Sequence, residues 1–143
     1  RRYVDELAEL GVPAERRQAA VERIASAVSR TLEDERGRWL LDARHLSSAN
    51  ELALTGRIDG TTVSVVIDRT FIDETGIRWI VDYKSSSHEG ADLEGFLASE
   101  QERYRPQLER YALLMRHVGP EPIRLGLYFP LLSAWRSWLP AGR

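Results

Sequence analysis

The sequence predicts a mixed α/β (α+β) domain: helices first, then a three-stranded antiparallel meander, a further helix and a fourth strand. Three observations carry this. Ala20, Val21, Ile24, Val28 and Leu32 recur at helical spacing and form one apolar stripe. From Glu51 onward the apolar pattern changes to a period of two. Two short turn signals, Asp59-Gly60 and Asp73-Glu74-Thr75-Gly76, punctuate the alternating region.

At 143 residues, 43% hydrophobic and 29% charged, the chain is long enough for one domain with a core and too short for two comfortable ones. It divides into a helical part over 1–48, a core over 49–130 and a tail over 131–143. It opens on Arg1 rather than Met and runs straight into a helical pattern, so it reads as a piece of a longer protein. No apolar run approaches the roughly 20 residues that span a bilayer, and no signal peptide opens the chain. No membrane partner is therefore expected, and the location is expected to be cytoplasmic. The absence of cysteine excludes disulfides, thiolate-held zinc and an iron–sulphur cluster. A net charge of −2 gives no overall basic signature, so contact with nucleic acid has to come from local patches.

In chain order, Tyr3, Leu7 and Leu10 predict a first helix that Gly11-Val12-Pro13 ends. A second helix is expected from about Pro13 to Arg36, with Gly37 as its C-cap. Arg16, Arg17, Arg23 and Arg30 read as its solvated face. Trp39, Leu40 and Leu41 make an apolar patch, and Ser47, Ser48 and Asn50 a polar loop. Strands are expected over 51–58, 61–71 and 77–84, followed by a polar loop from Ser85 to Gly90. Residues 91–104 are poorly patterned. Pro106 suits the first turn of a helix that runs to about His117, and Gly119-Pro120 stops it. A fourth strand follows over 123–129, and Trp135 and Trp138 in the tail stand at helical or loop spacing as cover for the core.

The strand over 77–84 ends in Asp82-Tyr83-Lys84. Residues two apart on a strand share a face, so the Asp82 carboxylate and the Lys84 ammonium emerge side by side. Alone, this pair reads as a surface salt bridge. Register changes its meaning. Pairing outward from a two-residue turn at Asp59-Gly60 sets Glu51 opposite Asp68, and pairing outward from a turn near Thr75 sets Asp68 opposite Asp82. Three carboxylates then form one row across the sheet with Lys84 on the same face. Directly opposed positions have Cβ atoms about 4.5–5.5 Å apart. Folding does not reward such a row, because like charges repel, so a divalent metal held by Glu51, Asp68 and Asp82 is the economical expectation. On the later helix, Gln107 and Tyr111 are four apart and share a face.

The stretch ELALTGRIDGTTVSVVIDRTFIDETGIRWIVDYKSS, followed by YRPQLERYALLM, resembles the PD-(D/E)XK nuclease domain of the RecB/AddA type. That domain stands at the C-terminal end of UvrD-like helicase–nucleases and in RecB-family exonucleases. The resemblance covers roughly residues 51–129 and rests on Val-Val-Ile-Asp68-Arg, Val-Asp82-Tyr-Lys84-Ser and Gln107-x-x-x-Tyr111 in that order. It implies a restriction-endonuclease-like core with a mixed sheet flanked by helices. It also implies a Mg²⁺-dependent (or Mn²⁺-dependent) exodeoxyribonuclease that works beside a helicase motor, in the same chain or a partner subunit, in DNA repair or recombination. Asp68 and Asp82 would bind the metal, Lys84 would orient the attacking water and offset phosphate charge, and Gln107 and Tyr111 would touch metal-bound groups or the DNA backbone. Asp59 competes with Glu51 for the first acidic position, although its place before Gly60 suits a turn residue. The family often takes a histidine from an earlier helix, and His45, His88 and His117 do not stand in that context; Val66 stands where a glycine often precedes the Ile-Asp pair. These departures motivate an alternative expectation, a catalytically incomplete nuclease-like module that binds DNA or holds an assembly together. No GxxxxGK[ST] phosphate loop occurs, so the chain itself is not expected to hydrolyse a nucleotide.

Overall fold

The computed structural model describes residues 13–142; the helix expected over residues 3–10 lies outside them. Helix α1 spans Ala14–Glu33 and a six-residue helix α2 spans Glu35–Leu40. The single helix expected to Arg36 is thus broken at Asp34, whose backbone is extended (φ −88°, ψ 131°) and whose carboxylate accepts a 2.7 Å hydrogen bond from the Tyr128 hydroxyl. Gly37 is not a C-cap. It lies inside α2, where a Cβ would come within 2.2 Å of the Thr31 carbonyl oxygen and 2.8 Å of the Tyr128 hydroxyl. Gly37→Ala is therefore expected to destabilise the protein by about 1–3 kcal/mol, as forced overpacking does, measurable as a lower midpoint in urea at unchanged slope.

The apolar stripe of α1 is not its packing face. Ile24, Val28 and Leu32 are exposed, whereas Thr31 is buried and donates to the Ala27 carbonyl. Small residues let α1 approach closely, and arginines tie it down. Arg23 donates to the Ser85 carbonyl (2.6 Å) and Arg30 to the Leu131 carbonyl (2.8 Å). Two of the arginines read as a solvated face are in fact main-chain clamps.

Strands β1 (Leu46–Ile58), β2 (Thr61–Ile72) and β3 (Arg78–Tyr83) form the meander. Asp59 (φ 49°) and Gly60 (φ 78°) both take left-handed backbone, as a two-residue hairpin turn matched to strand twist requires. The second turn is held by Asp73: its Oδ1 accepts from the Thr75 and Ile77 amides and the Thr75 hydroxyl, and its Oδ2 from Trp79 Nε1. Burial would raise this carboxyl, but the hydrogen bonds outweigh burial and hold it below the ordinary range. Strand β1 begins earlier than expected. Ser47, Ser48 and Asn50 belong to it, and a register shift between Leu46 and Ala49, with Ser47 at φ 45°, hides the alternation.

Both expected registers hold: Leu52 pairs with Ile67 and Ile58 with Thr61 between β1 and β2, and Arg69 pairs with Val81 between β2 and β3. Alternation does not hold throughout. Ile67 joins the core on one face of the sheet and Phe71 the core on the other, although they are four residues apart. The face is switched between them, next to Asp68, and on β1 the opposing residue Glu51 takes left-handed backbone (φ 50°).

Helix α3 spans Leu93–Met115, and β4 (Ile123–Phe129) runs parallel to β3, as a helical crossover permits. The poorly patterned stretch is thus helical from Leu93 onward, and Pro106 is inside the helix rather than at its start. Asp92 caps α3 by accepting from the Gly95 amide (3.0 Å). Pro106 is exposed, so the hydrogen bond it forgoes is lost on the solvent side, while Leu97, Leu108, Tyr111, Ala112 and Met115 anchor both halves in the core. A short 3₁₀ turn (Pro130–Leu132) leads to β5 (Ala134–Trp138), antiparallel to β4, so the tail supplies a fifth strand rather than a helix or loop. The sheet order is β1-β2-β3-β4-β5. Trp138 enters the α3-side core, whereas Trp135 packs on the opposite face, where α2 contributes Leu40 and Trp39. Trp135 also lies so close over Gly126 that a Cβ there would meet the indole at 2.2 Å.

Candidate active site

The C-terminal end of β3 and the middle of α3 form the site. Asp82 has the parity of Ile80, which packs under α3, and is only 4% exposed. The β2–β3 ladder stops at Arg69–Val81, and the next amide, that of Tyr83, donates instead to Asp68 Oδ2 at 2.8 Å. The kink that ends the ladder therefore delivers the Asp68 carboxylate to β3. The Asp68 carboxyl lies beside that of Asp82. Burial, and then the neighbouring Asp68, raise the Asp82 carboxyl to about 6 against the opposing pull of Lys84. Lys84 Nζ stands 2.5 Å from Asp82 Oδ2, an ion pair rather than an aligned hydrogen bond, with its side chain 16% exposed. The Lys84 amide donates to the Tyr128 carbonyl (2.8 Å), which fixes its backbone to β4.

Helix α3 closes the site. Gln107 Nε2 donates to the Tyr111 hydroxyl at 2.6 Å. Burial, followed by the nearby Asp82 and Asp68 carboxylates, holds that hydroxyl above its usual range. The structure thus brings together Asp68, Asp82 and Lys84, with the Gln107–Tyr111 pair facing them. It does not bring in Glu51, which is exposed at the point of left-handed backbone. The predicted row of three carboxylates reduces to a pair because alternation breaks at that point. Asp59 stays at the exposed hairpin tip. His45 stacks on Phe71 with its Nε2 2.6 Å from the Trp39 carbonyl, His88 stacks on Phe96, and His117 is exposed beyond the end of α3. Among the described residues no three of His, Cys, Asp and Glu are placed to share an ion.

Two side chains escaped the sequence reading. The Tyr104 ring carries the Lys84 ammonium 3.5 Å from its centroid, and Glu100 is buried with Oε2 unpartnered among the described residues. Glu100, Tyr104, Gln107 and Tyr111 follow one another at intervals of four, three and four, which is one face of a helix. That signal becomes visible once α3 is read through Pro106. A separate cleft of about 560 Å³ lies by Trp39, His45 and the Asp73–Gly76 turn. Its Asp42 is paired with Arg44 and its Asp73 is consumed by the turn, so it offers little chemistry.

A pair of neighbouring carboxyls, that of Asp82 buried, beside a lysine suits a divalent cation, whose charge offsets their mutual repulsion. A family model for the PD-(D/E)XK nuclease superfamily matches residues 1–134. The chain belongs to the PD-(D/E)XK nuclease superfamily. Its five-stranded mixed sheet with flanking helices is the restriction-endonuclease-like architecture of that superfamily, whose members are in general metal-dependent nucleases acting on DNA. No curated protein matches the chain. Among the described residues no helix is long and apolar enough to cross a membrane.

Proposed function

We propose that this PD-(D/E)XK domain is a metal-dependent deoxyribonuclease of the RecB/AddA type, with Asp68 and Asp82 as the residues that hold Mg²⁺ (or Mn²⁺). The observation that carries the reading is the buried contact between Asp82, Asp68 and Lys84 at the end of β3. When bound, a divalent cation supplies the Lewis acidity and charge that phosphodiester hydrolysis uses. The chain's own groups do the rest. Lys84 presents an ammonium to the scissile phosphate and orients the attacking water, a role preorganised by its backbone bond to β4. Gln107 holds the Tyr111 hydroxyl toward the same space, where both can donate to phosphate oxygens. Ile80, Leu97 and Leu108 belong to the apolar core that packs α3 onto this face of the sheet. The finer reading is exonucleolytic action beside a helicase motor in repair or recombination, with residues 1–143 as one nuclease domain of a larger machine; it rests on the resemblance in Val-Asp82-Tyr-Lys84-Ser and Gln107-x-x-x-Tyr111.

One observation favours the alternative of a module that binds DNA without cutting it: among the described residues only two carboxylates meet at the site. Cleavage of linear single- and double-stranded DNA in Mg²⁺ and in EDTA decides between them. Mg²⁺-dependent cleavage that falls at least about a hundredfold in Asp68→Ala is the expected result, since removing one preorganised charged group costs about that much. DNA retained in a shift assay but left uncut in Mg²⁺ and Mn²⁺ would establish the binding module.

A further inference from the structure

We propose that Tyr104 is a positioning residue for Lys84, holding the ammonium through the face of its ring. The proposal deepens the reading of Lys84 as the group that meets the phosphate, and rests on it. Lys84 Nζ lies 3.5 Å from the Tyr104 centroid, well inside the roughly 6 Å at which a cation is attracted by an aromatic face. With its side chain only 16% exposed, the ammonium has little water to compete with the ring. Its other close partner is Asp82 Oδ2, an oxygen of the carboxylate assigned to the metal. An ammonium held by carboxylates alone is released or re-aimed whenever those carboxylates take a cation. A π face neither takes the proton nor neutralises the charge, and it occupies none of the three N–H donors in a directed hydrogen bond. Tyr104 therefore offers Lys84 a fixed seat that does not depend on the state of Asp82 and leaves its donors for phosphate oxygens.

The ring, and not the hydroxyl, is the part in use. Among the described residues Tyr104 makes no side-chain hydrogen bond, whereas its ring packs on the α3-side core and also lies 5.2 Å from the Arg103 guanidinium. Its place on the helix, three residues before Gln107, puts the seat of the lysine and the Gln107–Tyr111 pair on one rigid face.

Two substitutions separate this role from plain packing. Tyr104→Phe keeps the π face, and Tyr104→Leu fills the space without one. In the parent and in Y104F, the Lys84 ε-methylene protons are expected to resonate upfield under the ring current, and in Y104L to return to the position of an exposed lysine. In DNA cleavage with Mg²⁺, Y104L is expected to lower kcat about tenfold with little change in KM, and Y104F to recover most of that loss. The rise in Tm on adding Mg²⁺ is expected to be the same in all three proteins, because Asp68 and Asp82 are untouched. An unshifted Lys84 signal in the folded parent, or a Y104F as impaired as Y104L, overturns the proposal. A parent that shows the shifted signal but cuts no DNA overturns the nuclease reading and leaves the seat of Lys84 in place.

Discussion

Asp82→Asn is expected to abolish cleavage and, with divalent cations removed, to make the protein more stable at pH 8. The carboxyl is 4% exposed and its pKa is raised from 3.8 to about 6 by burial and by the neighbouring Asp68 carboxyl. A raised folded-state value means that the folded protein binds this proton more tightly than the unfolded chain does. The stabilisation linked to the proton is complete below about pH 4 and is lost as pH rises through about 6. At pH 8 the folded parent carries an ionised Asp82 at a cost of about 3 kcal/mol, the order of magnitude that the shift implies. Asparagine has nearly the same shape, can donate its amide N–H to Asp68, and removes that cost. Urea denaturation in EDTA checks the sign: Asp82→Asn should exceed the parent at pH 8, and the gap should close toward pH 4. A variant less stable than the parent at pH 8 would show that the ionised carboxylate is a favourable partner of Lys84 and no strained one. The same substitution removes a charged donor from the carboxylate pair, so cleavage should fall by two orders of magnitude or more.

Lys84→Met is expected to move stability the other way. Methionine keeps the stem of the side chain against the Tyr104 ring and removes the ammonium that pairs with Asp82. Breaking a buried pair from this side leaves charge without a partner, which costs about 3–5 kcal/mol in fully buried cases. Lys84 retains some exposure, so about 2–4 kcal/mol is expected at pH 8 in EDTA. The deficit should shrink as Asp82 takes up a proton toward pH 4, and added Mg²⁺ should recover part of it at pH 8. Equal destabilisation at both pH values would point to lost packing instead of exposed repulsion. Opposite signs from the two ends of one ion pair, with cleavage lost in both, would mark a site arranged for chemistry and not for stability.

The pairing that places Asp68 by Asp82 was legible because both turns declare their type: Asp59-Gly60 demands left-handed backbone, and Asp73 closes its own loop. Counting outward from those turns gives the observed register. Counting cannot give the twist. Glu51 is opposite Asp68 in number, but the left-handed backbone at Glu51 and the change of face beside Asp68 separate them in function. A glutamate in left-handed backbone carries no local sequence signal, since tertiary packing imposes it. Pro106 misled for a related reason. A proline reads as a helix start, yet α3 passes through it because its neighbours bury on both sides. Tyr104 and Glu100 were lost with that first half. Trp135 and Trp138, three apart, mimic helical spacing, but in β5 each serves a different core.

The bond from the Tyr83 amide to Asp68 Oδ2 has an entropic consequence. A free aspartate samples several rotamers and loses that freedom when it coordinates an ion. Here the ordering has already occurred during folding, as the last rung of a β-ladder. One oxygen accepts from the backbone, and that bond fixes how the whole carboxylate is turned. Its direction is set in advance, and a longer glutamate in its place would carry the same charge without that fixed aim.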